Sequence, residues 1–371
     1  MGSPDEASGA RPDGSDGFSA RAIAVLNVIG VGFVLVLQLL LLDPSAPKEP
    51  HYNGAWNPPE SRAELLVAKM DGHAFAQTAE DPFLQHTLED YSNDPVNAAY
   101  RASRPFPGWV YSVASLGGQR PLLAPVILVI TALSIGFVVW ALDLLGRALD
   151  VQVRLLGSVA ALPAVVAAIA YPGISEPMGL GLSLSGLALW FRHRTAAAVA
   201  CFAAAALCRE TMLLVPLGLA LSIIVERRSL RPALPLAIPA AAYVGWVALV
   251  HARFGELPSS YSPMAAPFTG LAEAISYWHL AEWLTAALLA ASGVAIVRWG
   301  PRWMQAILAV HLLFFTTMST IVWWVWWGFG RVGTILPLLA LVAWSSSRSP
   351  APAAGRAPSG ADALAATPAP A

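Results

Sequence analysis

Residues 22–42 read AIAVLNVIGVGFVLVLQLLLL, an apolar run interrupted by clearly polar side chains only at Asn27 and Gln38. A transmembrane helix needs about 20 apolar residues, whereas the apolar core of a secretory signal has about 7–15. The residues that follow, DPSAPKEP at 43–50, contain no good small-x-small cleavage site. The run therefore predicts a retained membrane-spanning helix.

The composition of the whole chain agrees with a membrane protein. Of its 371 residues, 56% are apolar and 12% are Asp, Glu, Lys or Arg, against about 45–50% and about 25% in soluble domains. So few charges argue against a soluble enzyme. The 22 basic and 23 acidic residues nearly cancel, which argues against the broad cationic face of a nucleic-acid binder. We therefore expect no nucleic-acid partner.

Nine further apolar runs predict about ten transmembrane helices in total. Backbone groups in lipid must form hydrogen bonds internally, so runs of this composition are helices, and the period-two alternation of a membrane β-barrel is absent. The expected fold is an all-α, polytopic integral membrane protein. Its further spans are expected at 121–145, 155–173, 177–191, 195–208, 211–225, 233–251, 281–297, 303–322 and 328–345.

The basic residues predict the orientation of these spans. Thirteen arginines fall in the tails and loops of one side and three in the short loops of the other, so both termini are predicted to be cytoplasmic. Residues 1–20 and the Pro/Ala-rich residues 346–371 are expected to be disordered cytoplasmic tails around a transmembrane domain at 21–345. The segment 43–120 becomes a large first extracytoplasmic loop, and a short helix at 60–70 is expected to lie on the membrane surface.

In this topology, the charged side chains that lie in or beside the apolar runs fall on the outer face of the membrane. Ionisable groups at membrane depth are costly and indicate function, although they are also compatible with helix ends in the headgroup layer or with snorkelling of Arg331 to lipid phosphates. The aromatic run at 323–327 fits an interfacial belt or a sugar platform. The stretches 155–191 and 195–225 are interpreted as hairpins whose apices lie in a recess. The candidate site residues are Asp71, Asp81, Asp94, Arg101, Arg104, Glu176, Arg209, Glu210 and Arg331.

These residue types suit sugar transfer from a lipid phosphate. Such a reaction needs a carboxylate that accepts a proton from the acceptor hydroxyl, cations that hold the phosphate, and an apolar groove for the lipid tail. Asp71 is the candidate base, and the arginines are the candidate phosphate ligands.

The same positions resemble a known family. MDGHAF at 70–75 with AEDPF at 79–83 is similar to the "YDGQFYY…A.DP" signature of bacterial membrane glycosyltransferases of the GT-C superfamily. DP at 94–95 with YRASR at 100–104, SEP at 175–177 and RET at 209–211 are similar to further elements of that group, in the same order. The resemblance implies an inverting transferase of the bacterial plasma membrane that uses a polyprenyl-phosphate-linked sugar. It also implies that Asp71 is the catalytic base.

Two other functions stay open. Helices interrupted by Pro and Gly are also typical of a transporter or flippase of a lipid-linked or amphipathic solute, and the outer loop is long enough for a protein-binding scaffold. A transferase would have membrane lipids and a glycan, lipid or protein acceptor as partners. No metal site and no cofactor is predicted, although Asp71, His73 and Asp81 leave a divalent cation open.

Overall fold

The structure, a computed structural model, describes residues 19–43, 59–68, 71–86, 95–258 and 264–348. These ranges contain seventeen α-helices joined by turns and short 3₁₀ segments, and their only β-type pairing is one isolated bridge between Met264 and Met318. The all-α prediction is therefore confirmed for the described residues.

The helices of the segment 43–120 and the two helices on either side of it come first along the chain. They are α1 (Ala20–Leu41), α2 (Arg62–Val67), α3 (Gly72–Glu80), α4 (Pro95–Ala102), α5 (Pro105–Ala114) and α6 (Arg120–Ala148). The middle of the chain forms α7 (Pro163–Ala170), α8 (Glu176–Phe191), α9 (Thr195–Cys208), α10 (Leu214–Arg227) and α11 (Ile238–Phe254). The last third forms α12 (Thr269–Ala274), α13 (Leu280–Trp299), α14 (Arg302–Thr316), α15 (Thr320–Trp323), α16 (Trp326–Gly333) and α17 (Ile335–Arg348).

Four of these helical stretches are long and apolar enough to cross a membrane. They are α1, α6, the stretch Arg231–Phe254 that ends in α11, and α13. The pair α16 and α17 would make a fifth, although it is bent by 49°. The count of ten is not confirmed, because several predicted runs form shorter or broken helices. The run 155–173, for example, breaks before Pro163, which begins α7 because proline cannot continue a preceding helix.

Helix α1 packs closely against α6 through a glycine. A Cβ at Gly136 of α6 would lie 2.5 Å from the Val28 side chain and 3.2 Å from the Ala24 carbonyl oxygen of α1. Small residues allow membrane helices to approach this closely. Only Val31 and Leu35 of α1 are buried, so the rest of the described chain leaves most of the surface of this helix uncovered.

Helix α6 is the centre of the protein. It contacts α1 on one side and α8 on another, and α8 packs in turn against α9. Helix α10 packs against α14, and α13 packs against α16 and α17. This arrangement places the start of α8, the break between α9 and α10, and α16 around one interior region.

The described part of the segment 43–120 folds onto these helices. Helix α2 contacts α1 and α6, and its side chains Leu66 and Val67 are buried. The predicted short helix at 60–70 is therefore present over Arg62–Val67, but protein rather than the membrane surface covers its apolar side.

The predicted tails lie largely outside the described residues. Helix α1 begins at Ala20, and α17 continues to Arg348, three residues beyond the expected end of the transmembrane domain. Residues 20 and 346–348 are therefore helical, and the disorder of 1–18 and 349–371 stays a prediction.

Candidate functional site

Asp71 stands immediately before α3, at its N-cap position. Its carboxylate oxygens lie 3.8 Å from Nη1 of Arg101 and 3.9 Å from Nη1 of Arg104. These distances exceed that of a direct hydrogen bond. The side chain is 17% exposed. Asp71 is thus held in a positive environment without a direct hydrogen bond to either of these guanidinium groups.

Two glycines bring Asp71 close to the loop before α8. Gly173 has φ +95°, and a Cβ at this position would lie 2.8 Å from the Cα of Gly72. The amide of Gly173 donates a hydrogen bond to Oγ1 of Thr131 in α6 at 3.1 Å. The loop is therefore anchored on α6, and its next residues begin α8 with Glu176.

Arg104 is fixed by a carboxylate from a distant segment. Its Nε and Nη2 atoms donate to the two oxygens of Glu210, both at 2.8 Å, and its side chain is only 2% exposed. Nη2 also donates to the Tyr100 hydroxyl, and the guanidinium lies 4.1 Å from the centre of the Tyr100 ring. Such a two-pronged pair fixes the orientation of a guanidinium as well as its position.

Glu176 is completely buried between two other arginines. Its Oε1 accepts from Nη1 of Arg209 and lies 3.1 Å from Nη1 of Arg331. Arg331 also donates through Nε to the Trp327 carbonyl at 2.9 Å and lies over the Trp327 ring at 4.8 Å. Arg331 therefore does not follow the alternative of snorkelling to lipid phosphates, because a buried ion pair holds this side chain inside the protein.

These groups form one arginine cluster. It contains four guanidinium groups and three carboxylates, so its ionised form carries one uncompensated positive charge; its members are Arg101, Arg104, Arg209, Arg331, Asp71, Glu176 and Glu210. Arg209 and Glu210 are neighbours in the chain and join its two halves.

The cluster shifts the pKa of Asp71. Burial by itself raises the pKa of this carboxyl, but the positive charges of the four arginines, led by Arg101 and Arg104, outweigh burial and hold the pKa well below its usual range. Asp71 is consequently ionised at neutral pH.

Several polar atoms at the cluster have no hydrogen-bond partner in the described part of the chain. They are Oε2 of Glu176, Nε of Arg209 and Oγ1 of Thr211, all buried. Buried polar groups are normally paired, and an unpaired one costs about 1–3 kcal/mol. Two of these atoms, Nε of Arg209 and Oγ1 of Thr211, can donate to the oxygens of a ligand.

The structure brings most of the predicted site residues together. Seven of the nine belong to the arginine cluster. Asp81 does not belong to the cluster. It directly follows α3, at the opposite end of this helix from Asp71, and its carboxylate accepts a hydrogen bond from the amide of His86 at 2.8 Å. Asp94 lies outside the described residues.

Sequence reasoning did not select three contacts of the cluster. Tyr100 and Trp327 each lie four residues before the arginine that they contact, the spacing of neighbours on one helix face, although only Trp327 and Arg331 share a helix and Arg104 lies two residues beyond the end of α4. That spacing was a usable signal. Nε2 of His73 lies 3.1 Å from Nη1 of Arg101, and His73 was considered only as a metal ligand. Within the described ranges, no three His, Cys, Asp or Glu side chains are grouped as metal ligands.

The aromatic run at 323–327 is divided between different environments. Trp323 is buried against Trp278, Phe315 and Phe329, whereas Trp324 is 54% exposed. Trp327 supports Arg331. The tryptophans of this run therefore do not form one continuous interfacial belt or one continuous platform for a sugar.

An apolar cavity of about 650 Å³ lies on another side of α16. Its walls come mainly from α13 and α14, with Phe329 of α16. Phe329 and Arg331 point about 160° apart around their helix. No member of the arginine cluster lines this cavity, so it does not provide the expected groove that opens onto the phosphate ligands.

Comparisons of the chain with models of protein families, with curated proteins and with solved structures found no match.

Proposed function

We propose that this protein is a membrane glycosyltransferase that transfers a sugar from a polyprenyl-phosphate carrier to an extracytoplasmic glycan, lipid or protein. The observation that carries the proposal is the arginine cluster, which is buried, has a net positive charge and holds an ionised aspartate at its edge. A cluster of this kind is costly to bury, and a bound anion would compensate its charge.

The roles of the residues follow from their contacts. The phosphate of the donor binds beside Arg209 and Arg331, where Nε of Arg209 and Oγ1 of Thr211 supply donors that have no partner within the described ranges. Glu176 contacts both arginines through one oxygen and so holds their guanidinium groups in place. Arg101 and Arg104 stand next to Asp71 and extend the positive field towards the acceptor.

The reaction is a displacement at the anomeric carbon. The acceptor oxygen forms a bond to this carbon while the bond from the carbon to the phosphate oxygen breaks, and the configuration inverts. Asp71 accepts the proton of the acceptor hydroxyl, and the arginines stabilise the charge of the departing polyprenyl phosphate. The phosphate also offsets the arginines that lower the pKa of Asp71, so donor binding makes Asp71 a stronger base.

The same proposal includes the membrane arrangement. The four or five long apolar helices and the shorter apolar helices together make about ten spans of a bacterial plasma-membrane protein of GT-C type. Both termini lie in the cytoplasm, and the arginine cluster faces the outside. This orientation gives the cluster access to lipid-linked donors of the outer leaflet.

Replacement of Asp71 tests the transferase. In proteoliposomes that contain a polyprenyl-phosphate-linked sugar and an acceptor, Asp71→Asn should slow transfer about 10²–10⁴-fold, the usual contribution of a positioned base. Asp143→Asn is the matched control, because Asp143 pairs with Arg147 at 2.5 Å on the far part of α6. Transfer by Asp71→Asn at the parental rate would refute the catalytic role.

A transporter of an anionic lipid-linked solute is the second candidate. The observation in its favour is the 49° bend between α16, which carries Arg331, and α17, because transporters bind substrates at broken helices. A flux assay separates the two candidates. Movement of the intact lipid-linked sugar across the vesicle membrane, without a covalent product, would favour the transporter.

A further inference from the structure

The apolar cavity between α13 and α14 has the form of a site for a hydrocarbon chain. Its volume of about 650 Å³ is within the range of ligand pockets, about 300–1,000 Å³. On α13, Ala286, Leu289, Gly293 and Val297 line it at spacings of three and four residues. One face of this helix therefore forms a wall, and the wall from Ala286 to Arg298 is about 18 Å long at 1.5 Å per residue.

The cavity opens towards the surface of the helix bundle. Its lining side chains Val294, Val297 and Leu312 are 66%, 63% and 52% exposed. Phe315 and Phe329 contribute aromatic rings to the lining nearer the protein interior, where both side chains are buried. A chain that lies in the membrane can thus enter from the side.

A positive charge stands at one end of this apolar wall. Arg298 lines the cavity and is exposed, and Arg302 begins α14 directly after the turn. Neither guanidinium has an ion-pair partner among the residues that the structure describes. An anionic headgroup would supply the missing partner.

This end of α13 is remote from the arginine cluster. Glu282, near the other end of the helix, accepts a hydrogen bond from the Trp326 amide at the start of α16, the helix that carries Arg331. Glu282 and Arg298 are sixteen positions apart, about 24 Å along the helix. A lipid phosphate bound at Arg298 therefore belongs to the opposite leaflet from a donor bound at Arg331.

We propose that the groove between α13 and α14 binds an anionic phospholipid, with one acyl chain in the apolar cavity and the headgroup phosphate on Arg298. The site does not depend on the transferase activity. It needs only that α13 spans the membrane.

The test uses the full chain in nanodiscs of phosphatidylcholine that contain phosphatidylglycerol with a photoactivatable acyl chain. We expect the labelled peptides to come from α13 and α14, and phosphatidylglycerol to remain bound after detergent exchange. Arg298→Gln should reduce retention about fivefold, the effect of one cation near the membrane surface. Arg348→Gln is the matched control, because Arg348 also lies in the last turn of a helix and over a tryptophan ring but does not line the cavity.

A second variant tests the chain-binding part of the site. Ala290 lines the cavity from its exposed side, so Ala290→Phe should fill the entrance and abolish acyl-chain labelling in α13 and α14. Unchanged labelling and retention in both variants would indicate annular lipid only and would overturn the proposal. Equal retention of phosphatidylcholine, or displacement of phosphatidylglycerol by a polyprenyl phosphate, would also overturn it.

Discussion

Replacement of Glu176 by glutamine offers a direct test of the arginine cluster. Glu176 is 0% exposed, and the same oxygen contacts both Arg209 and Arg331. Glutamine keeps the size of the side chain but removes its charge, so two guanidinium groups would remain inside the protein without this counter-ion. Removing one partner of a buried ion pair costs about 3–5 kcal/mol.

This free energy is large enough to measure as a change in melting temperature. A large domain loses about 2–4 °C for each kcal/mol, so the Glu176→Gln variant should melt on the order of 10 °C below the parent. Thermal unfolding in detergent, followed by tryptophan fluorescence, would report the change. The control is Glu226→Gln, because Glu226 is exposed and its oxygen contacts only the Ser222 hydroxyl at 3.3 Å in the described structure.

A double variant distinguishes the loss of charge balance from a general packing defect. Arg331→Gln removes one of the two positive charges that Glu176→Gln leaves unpaired. The combined variant should therefore be more stable than the sum of the single effects predicts, with a coupling free energy of about 0.5–3 kcal/mol. Additive losses, or a Glu176→Gln variant that melts with the parent, would refute the electrostatic explanation.

Two further predictions concern Asp71 and its neighbour. Gly72→Ala should destabilise the protein by about 1–3 kcal/mol, because its Cβ would lie 2.5 Å from the Val67 carbonyl oxygen and 2.8 Å from the Pro172 carbonyl oxygen. Gly245→Ala is the control, because a Cβ at Gly245 would have no neighbouring atom within 4 Å. Thermal unfolding of the two variants checks this, and equal melting temperatures would contradict it. The folded pKa of Asp71 lies below its unfolded value of about 4, so the ionised carboxylate stabilises the fold above about pH 4, and this contribution is lost as the pH falls through the folded pKa. The difference in melting temperature between the parent and Asp71→Asn should therefore be constant from about pH 8 to 5 and shrink below about pH 4. If this difference already disappears near pH 6, the carboxyl group is not held in its ionised form.

The local helices of this protein were largely predictable from the sequence. The run 195–208 forms α9 with the same bounds, and the run 22–42 forms α1 within two residues at its N-terminus and one at its C-terminus. An uninterrupted apolar run has few alternatives to a helix in lipid. The interruptions were less predictable, since 303–322 divides into α14 and α15 around residues 317–319, where the backbone turns without a proline.

The candidate residues were predictable as a set, but their pairing was not. Charged residues in an apolar chain attract notice because burial is costly, and this reasoning selected Glu176, Arg209, Glu210 and Arg331. It did not assign Arg104 to Glu210, which is 106 positions away, nor Arg209 to Glu176, which is 33 positions away. The neighbours Arg209 and Glu210 in fact pair with partners from two different segments.

The sequence alone determined that the chain is helical and apolar and that its rare charges need a common explanation. These properties depend on local composition and on the cost of placing polar groups in lipid. Only the tertiary structure decided which carboxylate faces which arginine, that Asp81 stands apart from Asp71, and that the apolar cavity lies across α16 from Arg331. Contacts between segments far apart in the chain depend on how whole helices pack, and the packing of α6, α8 and α16 is a property of their combined surfaces rather than of any one segment.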